Sequence, residues 1–296
     1  MIIVMNSAEN IHMKGGDHLE RMQQTIKQEF SHIGIALHTG QDVSISCHPL
    51  PANHGIIFKR VDLPGEPEIE ADVDNITSTK RCTTIGNSGA EINTIEHLLS
   101  VVNALKIDNL LIKIDADEPP VTDGSAKVFY DLFTEAGIKE QEVTKKIHQI
   151  EEAIYIRDGN QYLTLLPAEE LKISYTFVGD HPTISDQFFE FDFASDDYQE
   201  LIAPARTFGF ANEINKLQEA GLALGGSLDN AVLVDDNGPI NKLRFQDEFA
   251  RHKVLDLIGD IKLAPSFTGH IIAVRSGHSL NSKLAKKIKK KLIGRN

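Results

Sequence analysis

Regular alternation of apolar and polar positions begins near residue 25 of the 296. Ile33-Gly-Ile-Ala-Leu37 and Val43-Ser-Ile-Ser-Cys47 carry the period-two pattern of half-buried strands, with a turn at His38-Thr39-Gly40 between them. Further strands are predicted at 56–58 and 81–85. From Glu96 the period lengthens: Leu98, Leu99, Val101, Val102 and Leu105 fall on one helical face. Leu110-Leu-Ile-Lys-Ile114 predicts a buried strand, residues 125–137 a second helix, and the polar stretch 140–146 a linker.

The order then recurs. Strands are predicted at 153–157, 162–166 and 171–177, followed by a helix at 252–261, a strand at 271–274 and a last helix from Asn281. A histidine-bearing helix, a strand, a glycine turn and a closing helix occur in both halves, at His97 then Gly124 and at His252 then Gly277. This predicts an α+β fold of two similar domains, residues 22–145 and 146–296, each a sheet with helices packed on it. Residues 1–21 show no period and are expected to be a disordered extension, or to reflect an upstream start.

Composition narrows the class. With 41% apolar and 25% charged residues the chain has the balance of a soluble globular protein. A net charge of -13 opposes nucleic-acid binding, which needs basic surface to displace counterions. Residues 283–296 run against that charge, with Lys283, Lys286, Lys287, Lys289, Lys290, Lys291 and Arg295 and no acid. Two readings stand for this tail: a solvated helix whose cations lie favourably near its C-terminus, or weak attraction to anionic lipid headgroups at a membrane surface. Cys47 and Cys82 make neither a disulfide framework nor a zinc knuckle. No apolar run approaches the ~20 residues of a membrane span, and the opening five residues are too short for a signal core, so a cytoplasmic location is expected.

Candidate chemistry lies in four places. His252-Lys-Val-Leu-Asp256 puts an imidazole and a carboxylate on one helix face, able to share a metal or to form a surface pair; Asp260 extends the stripe by a turn. Glu96-His97 offers a third ligand and an adjacent base for a metal-activated water. Asn93-Thr-Ile-Glu96 also reads as a helix capping box, and local pattern does not separate the two. Ser276-Gly-His278 follows a strand, where a histidine serves as general acid or oxyanion partner, or simply as a turn residue. Arg206-Thr-Phe-Gly-Phe210 combines a cation, a hydroxyl and two aromatics, suited to a phosphate and a base or to a plain strand end. Gly225-Gly-Ser227 is a turn, without the spacing of a phosphate-binding P-loop. A sugar-nucleotide kinase therefore lacks support.

Taken in order, these segments resemble the UDP-3-O-acyl-N-acetylglucosamine deacetylase family of lipid A synthesis. The resemblance runs from about Gln24 to Ile293 through Gly34-Ile-Ala-Leu-His-Thr-Gly40, Thr94-Ile-Glu-His97, Ile107-Asp-Asn109, Thr122-Asp-Gly-Ser125, Arg206-Thr-Phe-Gly-Phe210, Leu224-Gly-Gly-Ser227, the stretch from Phe249 to Asp260, and Ser276-Gly-His278. It implies two α+β domains whose helices pack between two sheets, and one catalytic Zn2+, with Fe2+ as the alternative ion. The ligands would be His97, His252 and Asp256, with Glu96 as general base. His278 would be the catalytic histidine, oriented by Asp260, and Thr207 an oxyanion donor. Lys253, Phe208 and Arg206 would meet the nucleotide part of a UDP-sugar. Leu37, Ala211, Ile214, Ala223 and Leu228 would line a passage for its acyl chain. A monomer is expected. The rival reading is a UDP-sugar sensor that keeps the pocket without turnover.

Overall fold

The computed structural model describes residues 18–87 and 89–294. The α-helices among these residues are α1 (Glu96–Ala104), α2 (Lys127–Ala136), α3 (Tyr198–Leu201), α4 (Ala211–Glu219), α5 (Glu248–Ile261) and α6 (His278–Ile293). A five-stranded sheet orders Phe30–Ile35, Asp42–Pro49, Leu110–Ile114, Ile56–Arg60 and Glu68–Glu70. Along Asp42–Pro49 the alternation seen in the sequence becomes a face: Val43, Ile45 and Cys47 are buried while Ser44 and Ser46 are partly exposed.

The seven-stranded sheet runs His18–Ile26, Ile138–Gln149, Phe267–Val274, Gln161–Leu166, Ile154–Asp158, with Leu171–Phe177 also paired to Phe267–Val274 and carrying Gln187–Asp192 on its far side. Two three-stranded sheets complete the set, one of them Phe208–Phe210, Val232–Asp235 and Gly238–Pro239. One hydrophobic core joins both large sheets to the helices between them. It contains Ile45 and Ile112 from one sheet, Leu163, Leu165 and Ile271 from the other, and Leu98, Val102, Leu255 and Ile258 from α1 and α5. The fold is α+β, as the alternation predicts.

Helix α5 lies at the centre, buried along almost its whole length. A helix buried all round is normally apolar all round. Here Glu248, His252, Asp256 and Asp260, spaced by four, form a buried polar stripe, each no more than 2% exposed. Buried polar groups of that kind need partners, and every one of the four has them in the site described below.

Two expectations change. His18–Arg21 are not outside the fold: they open the strand His18–Ile26, which pairs antiparallel with Ile138–Gln149. Arg21 also holds Asp108 through two hydrogen bonds of 2.7 and 3.0 Å. The remainder of the expected extension, residues 1–17, lies outside the described residues. The stretch 140–146 is no linker, because it belongs to that same partner strand. Its polarity reflects an edge region held mainly by backbone pairing, which hydrophobic pattern does not report. A strand from the start of the chain thus sits in the sheet of the second half.

The basic tail lies on α6, where Lys283 pairs with Asp158, Lys289 with Asp72 and Asp74, and Lys291 with Glu152. These contacts favour the solvated-helix reading, each worth little alone. Among the described residues no helix is long and apolar enough to cross a membrane.

Candidate active site

The site forms where the first turn of α1, the middle of α5 and the start of α6 converge. The turn before α1 is set by Thr94, whose backbone is left-handed at φ 53°. Of the two readings left open for Asn93–Glu96, the capping box does not form. Glu96 becomes the first residue of the helix, after Ile95 at the cap. Asn93 instead accepts from Thr84 Oγ1 and donates to the Asp117 carbonyl, and Thr94 Oγ1 donates to the buried Glu118. The Glu96 carboxylate is therefore free of any cap and turned inward.

His97, His252 and Asp256 each place a ligand atom within 4.8 Å of the other two. Asp256 Oδ1 lies 3.4 Å from His252 Nε2 and 3.7 Å from His97 Nε2. Its second oxygen, Oδ2, accepts from Lys253 Nζ at 2.8 Å. His252 Nδ1 is 3.2 Å from the Ala205 carbonyl, which fixes that nitrogen as the protonated one and leaves Nε2 a lone pair toward the cluster. Burial pushes His97 down and His252 down to about 3, so both imidazoles are neutral. Burial alone would raise the Asp256 carboxyl, but the Lys253 ammonium beside it holds it well below the usual range. Two neutral imidazoles and an ionised carboxylate are a divalent-cation donor set.

Beside this set stands an acid–base pair. His278 Nε2 is 3.7 Å from Glu96 Oε1, and His278 Nδ1 is 2.9 Å from Asp260 Oδ2. Burial raises the Glu96 carboxyl to about 8, against the pull of the His278 cation. Burial would lower His278, but the Asp260 and Glu96 carboxylates outweigh it and hold the imidazolium up to about 10. A raised carboxyl next to a stabilised imidazolium can accept one proton and donate another near neutral pH.

One cavity of about 420 Å³ reaches both groups. It brings together most of the residues marked in the sequence: Glu96, His97, His252, Lys253, Asp256 and His278 at one end, with Leu37, Thr207, Phe208, Ile214, Ala223 and Leu228 along it. Thr207 is held by backbone bonds to Gly124 and Val232. Lys253 Nζ lies over the Phe208 ring at 5.3 Å.

Two residues do not fall where the resemblance implies. Arg206 does not line the cavity: it is buried, and its guanidinium is taken by Glu248, at 2.9 and 3.2 Å, and by the Lys242 carbonyl. Its Nε and Nη2 donors are thus committed to Glu248 and the Lys242 carbonyl. Ala211, the first residue of α4, is likewise absent from the lining. Conversely, Thr83, which touches Glu96 and Asp260, and Asn281, which touches Asp260, carry no signal in the sequence, because their partners are distant along the chain.

Such a constellation is that of a metal-dependent hydrolase. Comparison with known proteins narrows it. The family model for LpxC, UDP-3-O-acyl N-acetylglycosamine deacetylase, matches residues 23–290. A Nautilia profundicola protein named UDP-3-O-acyl-N-acetylglucosamine deacetylase is 45% identical over 268 residues, covering 90% of this chain and 91% of its own length. Proteins of the same name from Campylobacter jejuni and Myxococcus xanthus are 42% and 41% identical, each over 90% of this chain and over 92% and 86% of their own lengths. This chain belongs to that deacetylase family.

Proposed function

We propose that the chain hydrolyses the N-acetyl amide of UDP-3-O-acyl-N-acetylglucosamine, releasing acetate, as a step of lipid A synthesis. The observation that carries this reading is the single cavity in which a metal donor set, an acid–base pair and an apolar passage adjoin. An ordinary sugar amidase needs the first two and not the third.

His97, His252 and Asp256 would hold the ion, Zn2+ or alternatively Fe2+, and their charge states and convergence fit it. When bound, the ion supplies Lewis acidity and activates water. The residues of the chain do the rest. An amide is a poor electrophile, so the carbonyl oxygen needs positive charge and donors as it becomes an oxyanion. Thr207 contributes a hydroxyl and His278 an imidazolium. Glu96 takes the proton of the attacking water, and the Glu96–His278 pair returns a proton to the departing amine. Lys253 and Phe208, at the edge of this cluster, suit a diphosphate and a pyrimidine ring. Leu37, Ile214, Leu217, Ala223 and Leu228 surround the acyl chain. The reading includes a monomer acting in the cytoplasm on this sugar nucleotide, without nucleic acid, consistent with the net charge of -13.

The test is metal content and acetate release measured on the same preparations. Wild type is expected to hold one ion and release acetate. Glu96→Ala should keep the metal and lose about 10²–10⁴-fold in turnover. His97→Ala, His252→Ala and Asp256→Ala should each lose metal, since two ligands make an incomplete site. No acetate release by the metal-loaded wild type would overturn the reading.

A further inference from the structure

Thr83 is fully buried and touches Glu96 of the acid–base pair and Asp260, the carboxylate that holds His278. Its backbone N–H donates to Glu96 Oε2 at 3.1 Å, and its hydroxyl donates to Asp260 Oδ1 at 2.5 Å. Its carbonyl accepts from the N–H of Ile95, the cap residue before α1. We infer that Thr83 is a positioning residue of the reaction, which fixes the Glu96 carboxylate through its main chain and the His278 imidazole, by way of Asp260, through its hydroxyl.

The division of oxygens supports this. With Oε2 of Glu96 held by the Thr83 amide, Oε1 is the oxygen left facing His278 Nε2. Asp260 uses Oδ2 to accept from His278 Nδ1 and from Asn281 Nδ2 at 2.8 Å. Thr83 takes the remaining oxygen. Together the three donors fix the carboxylate plane, and a fixed plane fixes the imidazole that donates to it. A hydroxyl on a carboxylate at this distance is a strong, charge-assisted bond, as such orientation needs. Valine has the same shape as threonine, so what the hydroxyl adds at this position is its bond to Asp260.

The two arms are separable, because a side-chain change leaves the amide bond to Glu96 in place. The inference rests on the roles of Glu96 and His278 proposed above, so those variants are measured alongside. In the metal-loaded full chain, Thr83→Val should lower kcat by ~10–100-fold, the usual effect of removing an outer partner of a catalytic group. KM should change by less than about twofold and metal content should hold, because the hydroxyl touches neither ligands nor cavity. Thr83→Ser should restore kcat to within about threefold of wild type. In an Asp260→Asn background, where the orienting carboxylate is already gone, Thr83→Val should cost less than about threefold, as coupled residues are non-additive. If Thr83→Val does not fold, Thr83→Ala serves the same comparison. Wild-type kcat in Thr83→Val, or an equal loss with and without Asp260, or a Ser variant as slow as the Val variant, would overturn the inference. Inactive Glu96→Ala and His278→Ala beside a fully active Thr83→Val would overturn it alone; an inactive wild type would overturn the proposed function instead.

Discussion

Gly259 on α5 and Glu96 on α1 meet with no side chain between them: a Cβ on Gly259 would stand 2.0 Å from the Glu96 carbonyl oxygen. A glycine inside a helix costs about 1 kcal/mol relative to alanine, so it persists where backbones must approach. Asn103 on α1 makes a second tie, donating to the Ile258 carbonyl at 2.9 Å. The donor set straddles this contact, with His97 on one helix and His252 and Asp256 on the other.

Gly259→Ala is therefore expected to disturb the site at its base. The methyl group must push backbone away rather than a flexible side chain, which costs about 1–3 kcal/mol in a packed core. Thermal denaturation should show a lower Tm, and metal stoichiometry should fall with it because the ligand-bearing helices separate. Retention of both would mean that the close approach does not set the ligand spacing.

How much of this was legible in the sequence depends on how local each contact is. His252 and Asp256 share a helix face by spacing alone, and structure and spacing agree. Glu96-His97 was ambiguous because the capping box and the inward glutamate use the same letters. What decides between them is the left-handed backbone of Thr94, which no hydrophobic period reports. Thr83 was silent, since its partners lie 13 and 177 residues away. Arg206 shows the opposite error. Its residue type suits a phosphate, but Glu248, 42 residues on, claims the guanidinium. The first strand was missed for a related reason: Leu19 to Ile26 are held by pairing with 138–147 and by the Arg21–Asp108 bridge, with little apolar alternation to betray them.

The acid–base pair predicts a bell-shaped pH dependence. Glu96 must be ionised to accept a proton, so the rate should rise as pH passes through its raised value, about 8 in the protein alone. His278 must be protonated, so the rate should fall as pH passes through its value, about 10. A bound dication favours the deprotonated form of each neighbour and moves both limbs to lower pH without exchanging their order. The measurement is kcat/KM against pH for metal-loaded protein. His278→Gln should lower the plateau and remove the alkaline limb. An alkaline limb that persists in this variant would belong to another group.

The passage yields the prediction that separates a lipid-handling enzyme from a general sugar amidase. A hydroxamate binds a hydrolytic metal through both oxygens, and a tail attached to it would run along Ile214, Leu217, Ala223 and Leu228. Each methylene buried there should tighten binding by at most ~0.8 kcal/mol, or roughly fourfold. The gain should stop where the tail reaches the outer rim, because Leu228 is already half exposed, at 47%, and water competes beyond it. A bulky side chain inside the passage should bring that limit forward. Ala223 is a poor place for it, since its backbone is left-handed at φ 56° and a larger residue would add strain of its own. Leu217 lies on α4, where a tryptophan is free of that cost. Inhibition constants against tail length, for wild type and Leu217→Trp, should therefore coincide for short tails and diverge for long ones, with the variant reaching its plateau several carbons earlier. A flat series in the wild type would remove the acyl chain from the proposed substrate while leaving the metal ligands and the Glu96–His278 pair untouched.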